Sequence, residues 1–243
     1  MLKRNLPLYA VLIDADNIPS KHADAILKEI KTLGEPALRR VYGDWSAERL
    51  KGWAQTAREQ GLVAHQETAN TQGKNASDLG LVIDAMDILH SARFDGFVLV
   101  SSDSDFTALA NRIREQGLEV IGVGERKTPE SLRKVCNRFL FIENIVEEPA
   151  PPTQSQEPAA NKISPKQAVP LINAAMDKIE QEGEWFTLSA LGTHIMAANS
   201  DFDTRTYGFK KLSDLVNNLS QFELQKTGNA LSVRHVKTAK KTT

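Results

Sequence analysis

The sequence predicts an α/β protein: a doubly wound parallel sheet followed by a small winged-helix domain. Three observations carry that expectation. Through about residue 145, short apolar runs alternate strictly with segments of helical periodicity. Two of those runs stop abruptly at carboxylates, and beyond a proline-rich stretch the pattern changes to three amphipathic segments and a hairpin signal.

The first strand is the uncharged run 9–13, of the kind buried on both faces of a parallel sheet, and Asp14, Asp16 and Asn17 follow it. Ser20 can cap a helix to about Leu33, with Ile26, Leu27 and Ile30 at helical spacing and Gly34 at its end. Residues 37–42 read as a second strand, 47–60 as a helix closed by Gly61, and 62–66 as a third strand. The segment 68–76 is polar and loop-like, and Ser77 then caps a helix to about Ser91. The next strand, 97–100, runs into Asp103 and Asp105. It is followed by a helix over 104–116, a strand over 118–123, a short helix near 129–135 and a strand over 139–142.

The 243 residues, 41% hydrophobic and 25% charged, suffice for one large or two modest cores. A net charge of −1 names no partner, although from Lys226 onward five basic residues occur with no acid. The single cysteine, Cys136, reads as a small core residue and points to a reducing compartment. Lys3 and Arg4 precede an apolar run too short for a signal peptide or a membrane span, so the expectation is a soluble cytoplasmic protein.

If the strand before Asp103 lies beside the strand before Asp14, at the switch point of the sheet, their carboxyl ends share one crevice. Asp78 enters at the start of the helix leading into that central strand. Several carboxylates in one crevice repel unless a cation compensates, and hard oxygen ligands without a His or Cys cluster favour Mg²⁺ or Mn²⁺. Capping alone would explain Asp105 or Asp78, but it is a poor account of Asp14. An extended chain would point Asp16 away from Asp14. Asp84 lies about 240° round the helix from Asp78 and is expected to serve structure.

Ile13-Asp14-Ala15-Asp16-Asn17, then Lys74-Asn75-Ala76-Ser77-Asp78, then Val100-Ser101-Ser102-Asp103-Ser104-Asp105-Phe106 resemble the three acidic motifs of NYN domains. These form the LabA-like branch of the PIN nuclease superfamily. The resemblance implies that Asp14, Asp78, Asp103 and Asp105 hold a metal, and that Asn17 orients a ligand, water or scissile phosphate. It further implies metal-dependent RNA cleavage by water, with no covalent enzyme intermediate. Asn75 departs from the family pattern, which often has Gly there. Lys74, Arg126 and Lys127 are candidates for holding the RNA backbone, and Trp45, after the second strand, could stack on a base or pack as a lid.

Residues 147–165, with Pro149, Pro151, Pro152, Pro158 and Pro165, read as a semi-rigid linker between a first domain over 1–146 and a second over 166–236, with a basic tail over 237–243. In the second domain Val169, Ile172, Met176 and Ile179 mark one helix, Thr187 caps another, and Thr204 caps a third carrying Phe209, Leu212 and Leu215. Segments around 222–224 and 231–233 flank a Gly-Asn turn, completing a winged helix. The Tyr207-Gly208-Phe209-Lys210-Lys211 core, with its flanks, resembles the OST-HTH/LOTUS domain. That resemblance implies RNA binding, with protein docking as a further use of the fold. Arg205, Lys210, Lys211, Lys226 and Arg234 are the expected phosphate contacts.

The reading is therefore a ribonuclease delivered to RNA by its C-terminal domain. Two alternatives stand beside it: a non-catalytic RNA-binding adaptor, and a haloacid-dehalogenase-like phosphatase using Asp14 and Asp16. Ile18 fits the latter only in part.

Overall fold

Strands without a charged residue have no face that tolerates water, so they belong at the centre of a sheet covered on both sides. The computed structural model, which describes residues 6–66, 76–146, 163–181, 183–228 and 230–236, arranges them so. The chain divides into two units, Met1–Glu147 and Glu148–Thr243.

In the first unit, β1 (Leu8–Asp14), α1 (Ala23–Lys31), β2 (Glu35–Gly43), α2 (Lys51–Gln60) and β3 (Val63–Gln66) build one half of the sheet. The helix α3 (Ala76–His90), β4 (Gly96–Val100), α4 (Thr107–Glu115), β5 (Glu119–Gly124), α5 (Glu130–Val135), β6 (Arg138–Phe141) and α6 (Ile142–Val146) build the other. The six strands are parallel in the order β3-β2-β1-β4-β5-β6. The order reverses at β1 and β4, where Ile13 pairs with Val100, and that junction opens the crevice at the strands' carboxyl ends.

Alternation along β1 sends Val11 and Ile13 into a core with Ile26, Ile30 and Trp53, and Ala10 and Leu12 into a second core with Leu81, Ile88 and Ile113. Each fully buried aliphatic side chain contributes about 1.5–3 kcal/mol. Cys136 is buried and donates Sγ–H to the Leu132 carbonyl, as the sequence led us to expect of a core thiol.

Local chemistry sets the differences from expectation. Gly61 closes α2 with φ +64°, the left-handed conformation expected there. Ser77 lies inside the first turn of α3 rather than capping it, because its hydroxyl donates to the Asp16 carboxylate instead. Ile142 opens α6 rather than ending a strand. Asp84 accepts from Arg40 and from the Tyr42 hydroxyl, clamping α3 to β2, and burial together with this acid pushes the Tyr42 hydroxyl pKa well upward.

The second unit holds α7 (Val169–Met176), β7 (Phe186–Thr187), α8 (Leu188–Ala198), α9 (Leu212–Asn217), β8 (Phe222–Thr227) and β9 (Ala230–His235). Its core joins Ile172, Leu191, Ile195, Leu215, Val216 and Val233. Tyr207 and Phe209 pack against that core. Thr187 caps α8 through the Ala190 amide, but the helix expected from Thr204 is broken. Asp203, not Thr204, caps a short 3-10 turn over Thr204–Tyr207, and Gly208 at φ +87° turns the chain before α9. β7 adds to the expected hairpin, giving the antiparallel order β7-β9-β8. Ile163 already bonds to the Thr206 carbonyl, so the packed unit reaches back into the stretch read as linker. The rest of that stretch, and the basic tail, lie outside the described residues.

Removing the Asp84 carboxylate leaves the half-buried Arg40 without its partner. Asp84→Ala should lower unfolding free energy by about 2–3 kcal/mol in urea titration, without altering divalent-metal binding. An unchanged midpoint would contradict the clamp.

Candidate active site

Asp14 ends β1 at 1% exposure, and a carboxylate so deeply buried must find donors. One oxygen accepts the backbone N–H groups of Asp16 (3.1 Å) and Asn17 (3.3 Å). The other accepts the Asn17 side-chain amide and the Ser101 hydroxyl, both at 2.8 Å. Burial raises the Asp14 pKa, and the Ser101 and Asn17 hydrogen bonds oppose that rise. Both oxygens of this carboxylate are thus engaged by the chain's own donors, which any ligand would have to share.

The backbone turns at once after Asp14, with the Ile18 amide bonded to the Asp14 carbonyl. This overturns the extended reading of Asp16, because the turn brings Asp16 back to accept the Ser77 hydroxyl (2.7 Å) and to pair with Arg49.

Across the switch point, Ser101 is 3% exposed and held by its own N–H to the Val123 carbonyl. Its hydroxyl donates to Asp14 while accepting the Asp103 N–H (3.1 Å), so one side chain sets the relation between two acids. Sequence reasoning missed Ser101 as a site residue. The available signal was a hydroxyl two positions before an acid, at the end of a fully buried strand. Gly124 lets β5 approach here, since a Cβ would stand 2.7 Å from the Ser101 carbonyl oxygen.

Asp103 accepts the Asp105 N–H (2.9 Å) as the cap of the 3-10 turn over Ser104–Phe106, anchored by buried Phe106. The capping acid is therefore Asp103, and Asp105 stands exposed in the first turn. Asp78 lies in the first turn of α3. Burial first, then the charges of Asp14, Asp103, Asp16 and Asp105, push its pKa up to about 6. Four carboxylates thus lie within electrostatic reach of Asp78, and among the described residues Arg49 is the one cation ion-paired to any of the five. An all-oxygen donor set with this surplus of negative charge suits a hard divalent cation. No three of the described acids, histidines or cysteines close into a preformed cage, so such an ion would have to draw them together.

The basic candidates fare unevenly. Arg126 turns inward, its backbone N–H donating to Glu143 and its guanidinium to Asn144 (2.9 Å) over the Phe141 ring, while Lys127 pairs with Glu125. Arg205 is paired with Asp203, and Arg234 with Glu223 and Glu184 over the Trp185 ring. Lys210, Lys211 and Lys226 are exposed, and Lys74 lies outside the described residues. Trp45 is a packing residue: it rests on the first core, with its indole N–H donating to the His65 carbonyl (2.9 Å).

Because Asp78 binds its proton more tightly in the folded chain than in the unfolded one, its contribution to stability is fully present below about pH 4 and is lost as the pH rises through about 6. In EDTA, Asp78→Asn should therefore raise the melting temperature by roughly 2–4 °C at pH 8, with the gain shrinking toward pH 5. A gain independent of pH would contradict the crowding.

The NYN domain profile matches residues 9–143, and the OST-HTH/LOTUS domain profile matches residues 162–233. No curated protein matches the chain. Among solved structures, a protein of unknown function from Vibrio parahaemolyticus is 20% identical over 58% of this chain and 96% of its own, with a TM-score of 0.50, a likeness of fold. An uncharacterized protein from Nitrosomonas europaea is 28% identical over 38% of this chain and 90% of its own, with a TM-score of 0.28. The acid-bearing parallel sheet and the helical unit after it thus have their counterparts: the chain belongs to the NYN domain family and carries a C-terminal OST-HTH/LOTUS domain.

Proposed function

We propose that the protein is a ribonuclease that hydrolyses RNA phosphodiesters at the acidic crevice with the help of Mg²⁺ or Mn²⁺, and that its OST-HTH/LOTUS domain supplies RNA binding. The observation that carries this reading is the gathering of Asp14, Asp78, Asp103 and Asp105 near the carboxyl ends of β1 and β4, with no cation ion-paired to any of the four among the described residues. A divalent cation there would supply charge neutralisation and activation of water. Asp14, Asp78, Asp103 and Asp105 are the residues that would hold it. Ser101 and the Asn17 amide hold the Asp14 carboxylate in place, and in this reading Asn17 would orient an incoming water or phosphate oxygen.

In this reading residues 1–146 form the nuclease unit, 147–165 the tether, whose last residues from Ile163 already pack on the unit that follows, 166–236 the RNA-binding unit and 237–243 a basic extension. Exposed Lys210, Lys211 and Lys226 supply the phosphate contacts of the second unit, whose surface could equally dock a protein.

The test is cleavage of labelled single-stranded and structured RNAs in Mg²⁺, Mn²⁺ or EDTA. Cleavage should require the metal and fall at least about 100-fold in both Asp14→Asn and Asp103→Asn. RNA binding without cleavage under any metal would replace the nuclease by an adaptor.

A further inference from the structure

A crevice lined by five carboxylates repels the polyanion it is proposed to cut, so something at its rim must hold the backbone. Of the cations named from the sequence for this unit, Arg126 is turned inward onto Asn144, Lys127 shares an exposed pair with Glu125, and Lys74 lies outside the described residues. Arg49 was not among them. We infer that Arg49 binds a backbone phosphate of single-stranded RNA beside the crevice, and that Asp16 holds its guanidinium in position until the phosphate arrives. This rests on the nuclease reading and adds to it a binding residue and the side by which the strand passes.

The placement is built rather than incidental. Arg49 lies in a 3-10 turn over Glu48–Leu50, just beyond the carboxyl end of β2. Buried Leu50 anchors that turn against Gly43, where a Cβ would come within 2.8 Å of the Leu50 side chain. From there the guanidinium crosses to one oxygen of Asp16, whose other oxygen takes the Ser77 hydroxyl one residue before Asp78. The bridge therefore joins the 3-10 turn that follows β2, the turn after β1 and the start of α3, beside the acidic cluster.

Magnitudes favour exchange over a permanent tie. The Arg49 side chain is 62% exposed, and an ion pair in that setting is screened by water and weak enough to exchange partners. Its planar fork carries five N–H donors, of which the Asp16 pair engages one nitrogen, and it matches a phosphate in two-point geometry. When a phosphate takes the guanidinium, Asp16 keeps Ser77 as its donor.

The experiment measures binding of a labelled single-stranded RNA to the full chain in EDTA across about 50–200 mM KCl, with Arg49→Ala and Arg49→Lys, in wild-type and Lys210→Glu/Lys211→Glu backgrounds. Arg49→Ala should weaken binding about 5–10-fold at low salt and flatten the slope of log K against log[salt] by about 0.7, the loss of one phosphate contact. Arg49→Lys should restore the slope but only part of the affinity. In parallel cleavage assays KM should rise in Arg49→Ala while kcat stays within about twofold. Unchanged affinity and slope in both backgrounds would overturn the assignment and leave Arg49 a surface tie. The binding arm does not depend on turnover. A flattened slope without any cleavage would sink the nuclease and keep the contact, whereas cleavage with an unchanged slope would do the reverse.

Discussion

The buried carboxylate of Asp14 is the constraint on which the rest of the first unit depends. A charge at 1% exposure is tolerated only if donors surround it, and the fold supplies four from two strands that meet at the switch point. The Asn17 donors require the turn that directly follows β1. The Ser101 donor requires β4 in register with β1, so that Ile13 stands beside Val100. The packing of uncharged strands between two helix layers therefore fixes the site by the same contacts that hold the sheet.

None of those donors is a cation, and that distinguishes this cluster from an internal ion-pair network. Several acids elsewhere carry a cation: Asp84 with Arg40, Asp203 with Arg205, Glu223 and Glu184 with Arg234. Among the described residues a single guanidinium is ion-paired within this group of five acids, and Asp78 responds by holding its proton to about pH 6. Retaining unneutralised charge in one place costs stability, and such sites are where function concentrates.

Much of this was legible in the sequence because the strong signals are local. The runs at 9–13 and 97–100 could only be central strands, and acids at their ends could only share a crevice once the βα alternation set the topology. What was not legible depended on contacts distant in sequence or on tight turns. Asp16 reverses direction because the chain bends at residue 15, which alternation cannot foresee. Ser101 matters through a partner eighty-seven positions away. Gly208 broke the expected third helix, although Phe209 and Leu212 kept its periodicity. Arg126, Arg205 and Arg234 are expected phosphate contacts, and the side chains beside them, Asn144, Asp203 and Trp185, are met only in the folded chain.

The account stands or falls on whether the acidic cluster takes up a divalent cation. Calorimetric titration of the full chain with Mn²⁺ near pH 6, in buffers of different ionisation enthalpy, measures both the binding and any proton released with it. The account predicts saturable binding that expels a proton, since a cation must displace the proton that Asp78 holds at about pH 6, and that is lost in Asp14→Asn. Absence of saturable binding, or binding indifferent to Asp14→Asn, would contradict it.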